Sequence, residues 1–320
     1  MSLALALAGC CTTPCFAHHG VAPHYDASKS VTVKGVVTRF DFINPHSFVY
    51  IETRDEQGAA QTWKCELDGR ATLARSGRGA DLFVVGQQVT LQGIAARSDP
   101  TGCAFRTATF NDGRVLQNIA ASEPIAAQVP GSPAAGASVL GVWTLKRLDV
   151  PLYEGVMTAA GERARAAFDP VTDDPSMRCE PGSPIRVWVS RTPLEIRQGV
   201  AGVVIDYLYM DTTRVIRLDL REPPRDIEPD AMGYSIGRFE GASLVIETAA
   251  FSAGTLEPRR GVSHSAQMQL TETLAVNVAS GELEVTWVIR DPVYFREPVV
   301  QTEYFVRAER SAERFDCQVP

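Results

Sequence analysis

Residues 234–250 read Tyr-Ser-Ile-Gly-Arg-Phe-Glu-Gly-Ala-Ser-Leu-Val-Ile-Glu-Thr-Ala-Ala: two short alternating runs broken by Glu240-Gly241. Alternation is the signature of strands with one buried face, and the break is a tight hairpin signal. Ser280-Gly281 repeats that signal between Ala266–Val276 and Leu283–Arg290. Upstream, the same pattern predicts strands at Ile185–Ser190, Leu194–Gln198, Val203–Met210 and Arg214–Leu220. Downstream it predicts Thr302–Ala308. A Pro-rich excursion, Glu222–Asp230, interrupts the series, and a helix is expected at Ala159–Phe168. Successive hairpins of this kind predict an antiparallel up-and-down barrel over residues 139–320, with a β-sandwich as the alternative.

The chain before this segment is also β-rich. Strands are expected at Val31–Phe40, Phe48–Thr53, Gln61–Leu67, Gln87–Ala95 and Cys103–Phe110. A helical spacing over Arg70–Phe83 separates the third from the fourth. Three strands, a helix and two strands is the order of a small OB-like barrel over residues 18–120. Such a barrel is filled by its own side chains. Between the halves, ASEPIAAQVPGSPAAGAS (residues 121–138) has the composition of a linker. The expected class is therefore all-β in two domains.

Composition bounds the partners. Net charge is −7. Residues 18–119 carry eleven basic and ten acidic side chains, and the −8 balance lies beyond them. Neither half has the basic face that phosphate neutralisation demands, so nucleic acid is not an expected partner. No stretch reaches the roughly 20 apolar residues of a membrane span.

The first 17 residues read as an export leader, with Cys15-Phe16-Ala17 as a cleavage site that frees a chain beginning at His18. Leu7-Ala8-Gly9-Cys10 is a competing lipobox, which would leave Cys10 lipidated as a membrane tether. Export implies a periplasmic or extracellular location and an oxidising environment. Four cysteines lie outside the leader, and one bridge per domain pairs Cys65 with Cys103 and Cys179 with Cys317. The longer loop would be worth about 4–5 kcal/mol in the chain-entropy model. A zinc site is the rival, but no CxxC pair is present.

Several motifs resemble a family of exported bacterial proteins known only as a domain of unknown function. They are Ala17-His18-His19-Gly20, Tyr25-Asp26, Val31–Val37 and Asn44-Pro45-His46. Members typically begin with two histidines and a serine, where this chain has Gly20. The second half is similar to another uncharacterised exported domain through Met232–Gly241, Ser263-His264-Ser265 and Cys317. Members there often carry Trp in place of Phe239. The Gly141-Val142-Trp143 opening, followed by a helix and a meander, also resembles lipocalin and fatty-acid-binding-protein barrels. These resemblances imply export and β-rich folds and assign no activity.

Three constellations are candidates for chemistry. His18, His19, His24 and His46 fall in the first domain's opening segment and form a candidate copper or zinc site. Disorder of the start and a hydrogen-bonded loop histidine are the bland alternatives. In the second half, His264 with Asp206 and Glu272 is a candidate acid–base group inside the barrel. The competing account pairs those carboxylates with arginines such as Arg217 or Arg290. Tyr207, Tyr209, Trp188 and Trp287 either form core or line an apolar cavity. The expected function is an exported envelope protein that binds a small apolar molecule in the larger barrel. An enzyme using His264 is one alternative. An adaptor docking an envelope protein partner is the other. No GxSxG, P-loop, GxGxxG, HExxH or CxxCH motif is present.

Overall fold

The computed structural model describes residues 24–55, 57–118, 138–146, 153, 155–310 and 313–319. The leader, His18, His19 and all but the last residue of the expected linker lie outside that set. The described chain is all-β and forms two closed sheets.

The first sheet contains β1 (Tyr25–Asp41), β2 (His46–Arg54), β3 (Ala60–Asp68), β4 (Gln88–Ala96), β5 (Gly102–Phe110) and a short β6 (Val115–Gln117). β1 pairs with both β2 and β4 and carries a bulge between Val37 and Arg39. The ring closes by a parallel pairing of β3 with β5 across Lys64↔Gly102, Cys65↔Cys103 and Glu66↔Ala104. Alternation along β2 and β3 turns Val49, Ile51, Cys65 and Leu67 into the core. Phe83 packs on Phe40, Phe105 and Phe110. Between β3 and β4, helix α1 (Arg70–Arg75) is much shorter than the predicted Arg70–Phe83. Gly77, at φ +75°, ends it, with backbone bonds from Gly77 N to Ala74 O and from Arg78 N to Leu73 O.

At Gly35 the strands cross too closely for a side chain: a Cβ there would lie 2.1 Å from the Glu52 carbonyl oxygen. Gly35→Val is expected to lower stability by about 1–3 kcal/mol through backbone displacement. A fall in the urea unfolding midpoint checks this, and an unchanged midpoint contradicts it.

The second sheet begins with β7 (Gly141–Leu145). Helices α2 (Ala159–Ala167) and α3 (Pro184–Trp188) follow, then β8 (Leu194–Gln198), β9 (Gly202–Tyr207) and β10 (Thr212–Arg217). The chain continues as β11 (Tyr234–Glu240), β12 (Ser243–Ala249), the inserted hairpin β13 (Gly254–Glu257) and β14 (Val262–His264), then β15 (Gln269–Val276), β16 (Leu283–Arg290) and β17 (Val299–Arg307). Nine of these strands close into a barrel in the order β10-β11-β12-β15-β16-β17-β7-β8-β9.

Two features depart from the expected barrel. The segment Ile185–Ser190, predicted as a strand, lies mostly in α3. Ser183 caps that helix by accepting from the Arg186 N–H, and Pro184 occupies its first turn. The Ser-Pro start thus outweighs a six-residue alternation carried by Ile185, Val187 and Val189. The barrel is not wholly antiparallel: β10 and β11 run parallel through Ile216↔Ser235 and Arg217↔Ile236. The Pro-rich excursion carries the chain back along the barrel before β11 starts, so the two strands share a direction. Closure is by hydrogen bonds between β17 and β7, through Phe305↔Leu145 and Arg307↔Trp143. The Cys179–Cys317 disulfide lies outside this closing ladder. Both expected bridges form, with Cα–Cα distances of 4.4 Å for Cys65–Cys103 and 5.7 Å for Cys179–Cys317.

Candidate functional site: a cleft between the two barrels

The alternation that sends Val49, Ile51, Cys65 and Leu67 inward sends His46, Phe48, Glu66 and Asp68 outward. Register then places them together, His46 opposite Asp68 and Phe48 opposite Glu66. This outer face is not left to solvent. The second barrel lies over it, and between them is a cavity of about 200 Å³. His24, Tyr25, Asn44, Pro45 and Thr72 complete the first wall. The opposite wall comes from the Asp174–Met177 turn, Arg186 on α3, Val189–Thr192, Tyr209, Arg259 and Phe315.

At the first wall, the Glu66 carboxylate accepts from Tyr25 Oη at 2.5 Å and lies 2.8 Å from His46 Nδ1. Burial works against charge on both partners, yet their mutual attraction prevails. It raises the His46 pKa above its ordinary 6.5 and holds Glu66 down to about 2. Burial pushes the nearby Asp68 carboxyl up, against the pull of Arg191 and His46. His46 stabilises fully below its ordinary pKa, and that contribution is lost as pH rises through its raised value. Glu66 stabilises above 4.5, and its contribution is lost as pH falls towards about 2. Wild-type protein is therefore expected to be most stable between about pH 4.5 and 6.5 with respect to this pair. His46→Gln should flatten the alkaline limb of a urea-midpoint against pH curve. A limb that stays the same would show that His46 is not its source.

On the opposite wall, the Arg186 guanidinium lies over the Tyr209 ring at 4.5 Å. Its Nε is buried with no hydrogen-bond partner among the described residues. Tyr209 is set by the left-handed turn at Met210 and Asp211 and packs on Phe315 at 5.2 Å. Arg259 is held by Glu257 at 2.7 Å. Asp174 caps its own turn by accepting from Ser176 N and Oγ.

The other sequence candidates fall in separate settings. The structure does not bring His264, Asp206 and Glu272 together. Asp206 is on the outside of β9, bonded to Arg197 at 2.6 Å and to Thr213 at 2.8 Å. Glu272 is inside the barrel and fully buried. His264 sits on the inserted hairpin, edge-on to Phe251 at 5.6 Å. Burial lowers its pKa, against a Ser265 backbone bond and the Asp291 charge. Glu272 pairs with Arg214, and neither Arg217 nor Arg290 is its partner. Arg214 donates to it at 2.8 and 2.5 Å, and Trp188 Nε1 donates at 2.6 Å. Arg217 pairs with Asp219 instead. Trp188, Tyr207 and Trp287 pack in the barrel core, with Trp188 edge-on to Tyr207 and Phe305 at 5.4 Å each. Of the four aromatic candidates, Tyr209 alone lines the cleft. Of the metal candidates, His24 and His46 line it, and His18 and His19 lie outside the described residues. Among the described residues, no three His, Cys, Asp or Glu side chains are grouped to hold a metal ion.

Sequence reading missed Tyr25, Glu66, Asp68 and Arg186. A usable signal existed for the carboxylates: Glu66 and Asp68 are two apart on a strand, opposite a loop that ends in a histidine.

No curated protein matches the chain. A solved structure with similarity is that of a point mutant of the fluorescent protein UnaG, at 16% identity and a TM-score of 0.26, covering 54% of this chain and 97% of that one. Residues 6–104 match the model of a family of unknown function, DUF6152.

Proposed function

We propose that this is an exported two-domain binding protein whose ligand seat is the cleft between the barrels. Its ligand is a compact aromatic anion, such as a small aromatic carboxylate. The observation that carries the reading is Arg186. A guanidinium stacked on the Tyr209 ring at a cavity wall, paired with no carboxylate among the described residues, suits a planar anion. Phe48, Val189 and Phe315 supply apolar surface around it. Sites at domain interfaces with mostly apolar walls and a few placed polar groups are the usual form of small-molecule seats. The larger barrel's interior is less suited, because Trp188, Trp287, Phe305 and the Arg214–Glu272 pair fill it.

The first barrel reads as OB-type, supported by its ring order and by the parallel β3–β5 closure. The second reads as a lipocalin-like barrel with one parallel pairing. Two disulfides support export to an oxidising compartment. No helix among the described residues is long and apolar enough to cross a membrane.

Calorimetric titration of the full chain with benzoate and with neutral benzamide tests the reading. Benzoate is expected to bind one to one and more tightly than benzamide. Arg186→Ala should weaken benzoate about tenfold or more, a loss of about 1.4 kcal/mol. Arg238→Ala, an exposed change on the outer barrel wall, should leave it unaltered. Absence of benzoate binding, or equal binding by Arg186→Ala, overturns the proposal.

A further inference from the structure

The two disulfides sit in opposite settings. Cys65 and Cys103 are 0% exposed, inside the first barrel. Cys179 and Cys317 are both half-buried at the surface. The second bridge also lies outside barrel closure, which is complete at Arg307.

What it secures is the contact between the barrels. Cys179 follows the turn that supplies Asp174, Ser176 and Met177 to the cleft. Cys317 belongs to a tail that crosses to the first barrel and forms a parallel bridge with Asn44. Gln318 N donates to the Asn44 carbonyl at 2.8 Å, and Asn44 Nδ2 donates to the Phe315 carbonyl at 2.6 Å. Arg70 donates to the carbonyls of Arg314 and Phe315, each at 2.8 Å. On the second barrel, Asp211 accepts from the Phe315 and Asp316 amides. The tail is thus strapped to both barrels, and Phe315 lies in the cleft wall between Tyr209 and the Asn44–His46 segment. Exposure governs which disulfide a thiol reaches, because exchange requires in-line attack on sulfur.

We propose that Cys179–Cys317 is a redox-dependent clasp on the cleft, released by a dithiol reductant while Cys65–Cys103 stays intact. As regulation of the cleft, it rests on the binding function proposed above. One reductant thiolate attacks a sulfur of the bridge, forming a mixed disulfide and expelling the other cysteine as thiolate. The second reductant thiol then displaces the first cysteine, leaving an oxidised dithiol and two protein thiols. The freed tail no longer holds Phe315 and Asn44 together, and the ligand seat loosens.

The test treats the full chain with graded dithiothreitol and locates freed cysteines by alkylation and peptide mass spectrometry. Cys179 and Cys317 are expected to alkylate at concentrations that leave Cys65 and Cys103 closed. Amide exchange should then rise about tenfold or more at Ala71, Phe315, Asp316 and Gln318, with β15 and β16 unchanged. Benzoate affinity should fall at least about tenfold and return on reoxidation. Cys179→Ser with Cys317→Ser should reproduce the reduced state, and chemical reduction remains the readout should that variant not fold. Simultaneous alkylation of all four cysteines overturns the proposal, as does selective reduction with unchanged exchange. Failure of oxidised protein to bind benzoate would sink the binding proposal alone, because the exchange measurement still reads the clasp.

Discussion

Glu272→Ala is expected to destabilise the protein by about 3–5 kcal/mol, because it strands the Arg214 charge inside the barrel. The Arg214 side chain is 3% exposed and that of Glu272 is 0% exposed. Arg214 also donates to Ser235 Oγ at 2.9 Å and to Thr248 Oγ1 at 2.6 Å. These bonds satisfy the guanidinium but do not neutralise it. Trp188 Nε1 would lose its only described acceptor in the same change. The double variant Arg214→Met with Glu272→Leu should recover much of the loss, since replacing a buried pair by apolar groups of similar volume is often neutral or stabilising. Urea midpoints of wild type, Arg214→Met, Glu272→Leu and the double variant close the cycle, with Glu272→Ala measured beside them. A single Glu272→Ala loss under about 1 kcal/mol would mean that the core admits water to Arg214.

This same pair shows where the sequence stops being legible. Alternation on β15 marked Glu272 as inward, between Leu270 and Leu274, and the structure buries it there. Its partner was out of reach, because Arg214 and Glu272 are 58 residues apart and meet only through the closed barrel. Asp206 shows the converse. On β9 both faces carry apolar residues, so alternation does not decide which is interior: Asp206 is expected inside the barrel, and the structure turns Val203, Ile205 and Tyr207 inward instead. Strand positions with strong one-sided patterns, Leu194–Gln198 and Leu283–Arg290, match the observed bounds. The hairpin of β13 and β14 had no such pattern: it is four residues and three residues long, with Pro258 between its strands.

The cleft was harder still. His46 and Tyr209 carried local signals, a loop histidine after Asn-Pro and a strand-end aromatic. Glu66 and Asp68 sit on a strand face that looks solvated until a second barrel, more than 100 residues on, lies over it. Local patterning describes a face, and what covers that face is a property of the assembled chain.

The second large effect concerns the covalent closure of the first barrel. Cys65→Ala with Cys103→Ala is expected to lower stability by about 4 kcal/mol, the chain-entropy value for a bridge across this separation. The residues are 38 apart in sequence, and both sulfurs are buried in the core. The closing ladder between β3 and β5 is only three residue pairs long, so few hydrogen bonds hold that seam without the bridge. Glu66 belongs to the same ladder, opposite Ala104. Loosening the seam therefore moves the carboxylate that elevates the His46 pKa. Urea unfolding should show the lower midpoint, and NMR titration should show His46 shifting back towards its ordinary value. A lower midpoint with an unshifted His46 would mean that hydrogen bonds alone hold Glu66 in register, leaving the bridge to act only through the unfolded chain. An unchanged midpoint would show that the β3–β5 seam closes without its sulfur bridge.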